Sequence, residues 1–526
     1  MDWSFPYAGQ RMPVMARNIV ATSQPLAAQA GIDAMARGGN AIDAALSTAI
    51  ALAVVEPNMN GIGGDAFALV WEPGEKRLYG LNASGRSPAG WTPERFAGRA
   101  AMPELGWDAV TVPGCVSAWA TLSARFGRLP FAELFRAAVR YAREGFHVSP
   151  ISAASWRGAE ERLRDYPEFG RVFLPGGDAP RPGQVWASPD HALTLEEIAA
   201  TGGESFYRGN LAARIAAASA ADGGAMTADD LATHACDWVE PVSIGYRGYT
   251  LHEIPPNGQG LASLMALGIL SHFSFDGIAV DSAEFLHLQI EAMKLALADA
   301  HQYIADPAAM EAVRWEDLLK SDYLASRAAL LDRQRASEPA FGTPRGGTVL
   351  LCAADESGMM VSYIQSNYWG FGSGIVVPET GIAMQNRGWG FSLEPGHPNQ
   401  VGPRKRPFHT IIPGFVTRGG DPVMAFGVMG GPIQAQGHVQ MMVRLADYAQ
   451  NPQAASDAPR WRVDGGRRVA LENTHPPAII DALHARGHDV TVLPPSGFGG
   501  AQLIRCIDGG YCAASDHRKD GAAYGR

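Results

Sequence analysis

The stretch that most restricts the fold is "TVLLCAADESGMMVSYIQSN", Thr348 to Asn367. Two apolar, strand-forming runs flank an Asp-Glu-Ser-Gly reversal, which predicts a β-hairpin turning at Asp355 to Gly358. Gly346 and Gly347 stand immediately ahead of it, and the texture of the chain changes there. Before this point the sequence reads mainly as helices. "SQPLAAQAGIDAMARGG" starts at a serine cap, Ser23, and ends in a glycine pair, while "DSAEFLHLQIEAMKLALADAHQYI" opens with Asp281 and Glu284 in capping-box spacing. Both are expected to pack at the surface. After it, "SGIVVPETGIAMQN", "FHTIIPGFVT" and "PVMAFGVM" read as further short strands. Strands packed between helices give an α+β sandwich.

With 526 residues and neither an internal repeat nor a low-complexity linker, the chain is expected to form one large folded unit. Apolar residues are 46% and charged residues 18%, a globular composition, and the net charge of -10 argues against a polyanionic partner such as nucleic acid. The five cysteines show neither a disulfide framework nor zinc-ligand spacing, which fits a reducing compartment. The N-terminus has no uninterrupted apolar run of the kind that directs secretion, and the weakly polar run Ala44 to Val55 is too short to span a bilayer. The expectation is a soluble, cytoplasmic protein with no membrane partner.

Thr348 is the residue with chemistry to explain. A threonine hydroxyl is a poor nucleophile without a base in hydrogen-bond reach. A chain break before Thr348 would free an α-amine on the same residue, with a pKa of about 7.7–8.0, close to the working pH of a general base. Gly347 carries no Cβ, so the backbone there can take up the conformation that attack on its own carbonyl requires. Taken locally, the same residues also fit an ordinary strand start after a glycine loop. Cys352 is a rival nucleophile by residue type, but inside a strand and without a free amine it reads as a buried thiol.

Seven further stretches bear on the choice: Gly38 to Trp71, Thr111 to Phe131, Tyr246 to Gly260, Phe371 to Ile382, Gly402 to Pro413, Gly427 to Gln434, and "AASDHRKDGAAYG" near the end. In content and order they resemble the γ-glutamyltransferase family of N-terminal-nucleophile hydrolases over nearly the full chain. The resemblance implies a four-layer αββα sandwich and a precursor that cuts itself between Gly347 and Thr348. The products would be a large fragment, 1–347, and a small fragment, 348–526, that stay together as a heterodimer. It implies Thr348 as nucleophile, Gly430 and Gly431 as oxyanion-hole glycines, Asn367 in the acyl pocket, and Ser366 or Gln365 beside the nucleophile. No metal or organic cofactor is implied, since the chain supplies base, nucleophile and oxyanion donors.

The sequence also departs from the family pattern. Where the family holds an α-carboxylate with an arginine and a serine pair, this chain has Ser84, with Arg86 two residues on, and His409 and Thr410. Where an acidic residue would hold the α-ammonium there is Gly390, with Arg387 nearby in the place of an amide. Arg86, Arg387 and Arg404 also admit a reading as surface charges. The features resemble most a signal-less, glutathione hydrolase-like subgroup. Three readings follow. One is an amidohydrolase or acyltransferase acting on the γ-glutamyl amide of glutathione or a related conjugate, with water or an amine as acceptor. The second keeps the mechanism for acyl groups lacking an α-ammonium, of glutaryl or oxamate type. The third is an uncut binding protein.

Overall fold

The structure, a computed structural model, describes residues 11–311, 313–339 and 347–526. Gly346 lies outside the described residues. Fourteen strands make two seven-stranded sheets. In chain order they are β1 (Val14–Ala16), β2 (Ile19–Thr22), β3 (Asp65–Glu72), β4 (Arg77–Asn82), β5 (Asp237–Val239), β6 (Val242–Tyr246) and β7 (Tyr249–Glu253), followed by β8 (Gly347–Ala354), β9 (Met360–Tyr368), β10 (Gly414–Arg418), β11 (Asp421–Met429), β12 (Gly500–Ile507), β13 (Gly510–Ser515) and β14 (Ala522–Gly525). One sheet runs β14-β2-β8-β9-β3-β4-β5 and the other β1-β13-β12-β11-β10-β7-β6. Neighbouring strands in both are antiparallel. Segments on either side of Gly347 contribute strands to both sheets.

The predicted hairpin is β8 and β9, at the middle of the first sheet, and its period-two side-chain alternation sorts residues between two cores. Leu350, Cys352, Ala354 and Ile364 face the other sheet and meet Phe415, Ala425, Met429 and Ile504 there. Val349, Leu351, Ala353, Val361 and Tyr363 face outward, against helices α1 (Pro25–Ala36), α2 (Ala41–Val55) and α3 (Cys115–Phe126). The second sheet's outer face is covered by α4 (Gly260–Leu270), α5 (Ala283–Tyr303) and α6 (Ile433–Ala446). The result is the αββα order expected. All residues of α2 and α4 are buried, which fits their mostly apolar sequences, since a helix with no continuous polar face has none to give to water. The turn at Asp355 is tied to the helical layer, because its Oδ2 accepts Ala41 N at 2.7 Å at the start of α2. Among the described residues no helix is long and apolar enough to cross a membrane.

Several local expectations need correction. Gln24, not Ser23, caps α1, with Oε1 accepting Leu26 N at 2.6 Å; Ser23 Oγ donates to the buried Glu56 instead. Ser282 caps α5 through Phe285 N at 3.2 Å, while Asp281 takes a left-handed φ of 62° and pairs with Arg444. That helix is mostly buried, not superficial. "SGIVVPETGIAMQN" is a loop with two isolated bridges, Val376 to Ala383 and Met384 to Gly63, because Gly374, Glu379 and Gly381 all have positive φ. In "FHTIIPGFVT" only Gly414–Arg418 pairs as a strand, beginning directly after Pro413. Before Gly347 the described residues supply seven strands to the two large sheets, and two more pair as Phe146–His147 with Val185–Trp186, all concealed by the helical texture.

Candidate active site

Thr348 opens the central strand at a break in register. Gly347 pairs with Tyr368 and Val349 with Gln365, so Ser366 and Asn367 together stand opposite Thr348. This bulge on β9 is an extra residue that re-aims side chains. Ser366 faces the inter-sheet side with Thr348, and the Thr348 hydroxyl donates to Ser366 Oγ at 3.3 Å. Gln434, in the first turn of α6, donates Nε2–H to Thr348 Oγ1 at 3.1 Å, and its Oε1 accepts Ile412 N at 3.1 Å. Thr348 is 1% exposed. Gln365 points the other way, where its amide bonds Ala49 O at 2.7 Å and Asn60 Oδ1 at 2.6 Å. Period-two alternation thus leaves Ser366 as the side chain that reaches Thr348. Neither a hydroxyl nor a carboxamide is a base, so neither can take the Thr348 proton.

Gly430 and Gly431 form the turn between β11 and α6, with φ of 122° and 70°. Such values favour glycine, and a Cβ on Gly430 would meet Gly499 Cα at 2.9 Å. Neither N–H has an acceptor among the described residues. The Gly431 carbonyl is fixed by Gln259 Nε2 at 3.0 Å. Asn367 is fully buried, and both atoms of its side-chain amide lack a hydrogen-bond partner. It lies over Gly61 and Gly64, where a Cβ would come within 2.9 Å and 2.7 Å of the amide.

Arg387 is no surface charge: it is fully buried. Its guanidinium donates to Thr410 Oγ1 at 2.9 Å and Ser366 Oγ at 3.4 Å, lies 4.0 Å from the Tyr368 ring centroid, and leaves Nε unpaired. Burial pulls its pKa down to about 10, with Tyr368 and Asp65 opposing that shift, so it is charged at neutral pH. Beside Thr410, His409 donates Nε2–H to Asp65 Oδ2 at 3.0 Å and accepts Ile411 N on Nδ1 at 3.4 Å. Both ring nitrogens are therefore taken by the protein, and His409 supports the pocket without offering an atom to it. Burial first, then the charge of Arg387, push His409 down to about 3, so it is neutral. Burial would raise the Asp65 carboxyl, but the His409 hydrogen bond, the nearby positive charge of Arg387 and Gly85 N–H outweigh it and hold Asp65 below its usual range.

The other arginines fall elsewhere. Arg86 pairs with Asp306 at 3.0 Å and lines a surface cleft with Arg404 and His234; nothing brings it to Thr348. Arg404 pairs with Asp229 at 2.7 Å. Ser84 is buried and donates to Asn82 Oδ1 at 2.7 Å. Cys352 is sealed between the sheets, and burial pushes its thiol pKa up. Gln434, Asp65 and Gln385 went unread in the sequence. Asp65 carried a signal, an acid leading into the apolar run "AFALVW". The residues that best suit a metal are His287, Glu291 and His488, all buried. There Lys294 Nζ already bonds Glu291 Oε1 at 2.8 Å and His287 bonds His488 at 2.8 Å, so the cluster satisfies itself.

The fold is that of the N-terminal-nucleophile hydrolases. A family model described as Gamma-glutamyltranspeptidase matches residues 27–526, and the chain belongs to that family. It is 37% identical over 528 aligned positions to the Glutathione hydrolase-like YwrD proenzyme of Bacillus subtilis (strain 168), across 97% of this chain and 98% of the relative. It is also 37% identical to the Oxamate amidohydrolase proenzyme of Klebsiella pneumoniae, across 95% and 97%. The crystal structure of cephalosporin acylase from Bacillus halodurans matches with a TM-score of 0.96 and 49% identity, covering 100% of this chain and 99% of that chain.

Proposed function

We propose that the chain is a self-processing threonine amidohydrolase for small amides whose acyl group carries a carboxylate and no α-ammonium. Cleavage of the Gly347–Thr348 bond gives fragments 1–347 and 348–526, which stay joined because both sheets draw strands from each. The freed α-amine of Thr348 then serves as base. Thr348 Oγ attacks the amide carbon, the Gly430 and Gly431 N–H groups receive the oxyanion, and the amine leaves with the proton. Water, or an amine in a transfer reaction, releases the acyl group and restores the hydroxyl. The names of the relatives support processing, since two of them are proenzymes.

The observation that carries the substrate class is Arg387, a buried guanidinium without a carboxylate hydrogen-bonded to it, separated from the nucleophile by one hydroxyl. A carboxylate meeting it gains charge-assisted hydrogen bonds in a dry site. Gly390 supplies no charge for an ammonium, which would be costly to desolvate unpaired. A γ-glutamyl donor is the second reading, supported by the unpartnered Asn367 Oδ1, which can accept from an ammonium. Hydrolysis of paired glutaryl and γ-glutamyl anilides by the purified, processed protein tests the choice. Higher kcat/KM on the glutaryl compound is expected, and strong selectivity for γ-glutamyl would overturn it. Mass spectrometry is expected to find two fragments in wild type and one uncut chain in Thr348→Ala. Cleavage of Thr348→Ala at the same bond would remove Thr348 from its role.

A further inference from the structure

Asp65 lies fully buried behind His409, and its four hydrogen bonds divide unequally. Oδ1 accepts from Gly85 N at 3.0 Å, Gly114 N at 3.1 Å and Gln385 Nε2 at 3.1 Å. Oδ2 accepts only from His409 Nε2, at 3.0 Å. The imidazole is held in place from both sides: its edge packs on Phe67, with centroids 4.8 Å apart, and its backbone bonds Asn257 O and Gln259 N, each at 2.9 Å. Thr410, the next residue, takes the guanidinium of Arg387. Asp65 is thus bonded to His409 and Arg387 to Thr410, and among the described residues no hydrogen bond joins the carboxylate to the guanidinium. Arg406, whose charge also acts on His409, bonds Ser84 O at 2.8 Å and is paired with Asp237.

We propose that Asp65 is a positioning residue that sets the charge of the acyl pocket, so that a donor with one carboxylate is held while the doubly charged acid it yields is released. This rests on the reading of Arg387 given above. A monoamide donor brings one carboxylate, which Arg387 meets. In the second half of the reaction the ester bond between the acyl carbon and Thr348 Oγ breaks, and the oxygen of water bonds that carbon. One proton of the water returns to Oγ, and the new acid loses its own proton to solvent. The product thus carries a second negative charge that no second free guanidinium on this wall answers among the described residues. Asp65 adds a fixed negative charge behind His409, in a site dry enough for that charge to be felt. Product release is favoured without loosening the single carboxylate of the donor to the same degree.

The test compares wild type with Asp65→Asn, an isosteric change whose Oδ1 can keep all three of its donors while Nδ2 donates to His409 Nε2; the ring then takes its other tautomer and gives up the long Ile411 N contact of 3.4 Å. The probes are oxalate and glutarate set against their own monoamides, oxamate and glutaramate, each measured as a competitive inhibitor of glutaryl anilide hydrolysis. In the variant the ratio of dicarboxylate Ki to monoamide Ki is expected to fall about three- to tenfold, as loss of one fixed charge at effective dielectric ~20 allows, and product inhibition to strengthen. A packing role alone would weaken both classes together and leave the ratio unmoved. If the Asn variant does not fold, Asp65→Ser removes the same charge and carries the same expectation. A ratio unchanged in a folded, processed variant overturns the proposal. Wild type that binds neither monoamides nor dicarboxylates overturns the reading of Arg387 beneath it.

Discussion

Arg387 sits where a guanidinium is costly unless something anionic meets it. The Tyr368 ring and the charge of Asp65 recover part of the cost of leaving water, and it remains protonated at neutral pH. Arg387→Gln keeps an amide donor for Thr410 but removes the charge. Its kcat/KM on glutaryl or oxamate donors is expected to fall about 10- to 100-fold, the equivalent of ~1.5–3 kcal/mol for a charged hydrogen bond, with little change on an acyl donor lacking a carboxylate. Steady-state kinetics on the two donors check this, and equal losses on both would assign Arg387 to packing. Restoring an acid at Gly390 is a less clean experiment than its place in the sequence suggests. A Cβ there would lie 2.9 Å from the Phe408 carbonyl oxygen, so backbone must give before the side chain can act. Gly390→Asp is expected to cost about 1–3 kcal/mol of stability, visible as a lower melting temperature, before any gain with γ-glutamyl amides.

The elements that deliver these residues are a bulged strand pair and a glycine turn leading into a helix. Gly431 has φ of 70°, and Gly431→Val is expected to strain that turn and misdirect the N–H group proposed to receive the oxyanion. A fall in kcat of roughly 10²-fold or more in a folded, processed variant is the expected result, and unchanged turnover would place the oxyanion donors elsewhere. The hairpin and its turn were legible because short-range chemistry decides them: Asp355 and Gly358 close the reversal with an N–H to carbonyl bond of 3.0 Å. The bulge was not, since a register shift of one residue leaves no local mark, and Ser366 and Gln365 are told apart only by which face each ends on. Asp281 and Glu284 had the right spacing for a box, but Ser282 lies one residue nearer the helix and its hydroxyl makes the bond. Gln434 and Asp65 reach Thr348 and His409 across 86 and 344 positions of sequence. Contacts of that separation belong to the packing of two sheets, which no local pattern encodes.

At the scale of the whole molecule, dry layers around two sheets bury several histidines in the neutral state, and this ties stability to pH. Burial pulls His191 down to about 4, and burial with the charge of Arg387 pulls His409 to about 3; burial lowers His287, His475 and His488 as well. Unfolded, each would take a proton near pH 6.5. The unfolded chain therefore binds more protons than the folded one below that value, and the stabilisation is complete above pH 6.5 and lost as pH falls toward the folded values. For His191 and His409 the loss is about 2 kcal/mol each by pH 5. Glu56 works in the opposite sense. Burial raises its folded pKa to about 7, so the folded chain holds a proton that the unfolded chain releases above the ordinary value of 4.5, and acidification regains what neutral pH costs. That regain, roughly 2 kcal/mol between pH 7 and 5, offsets one histidine; Asp43, Glu253 and Asp299, also raised by burial, act in the same sense, against His234, His252 and His301, which burial lowers to about 4. The melting temperature is accordingly expected to fall between pH 7 and pH 5. His191→Gln removes one titrating group far in sequence from Thr348, and is expected to flatten that fall whatever it does to stability at pH 7. Melting curves of both proteins at the two pH values decide the matter: equal slopes would mean that His191 is already protonated in the folded chain, or that the carboxyl groups and not the histidines govern its response to acid.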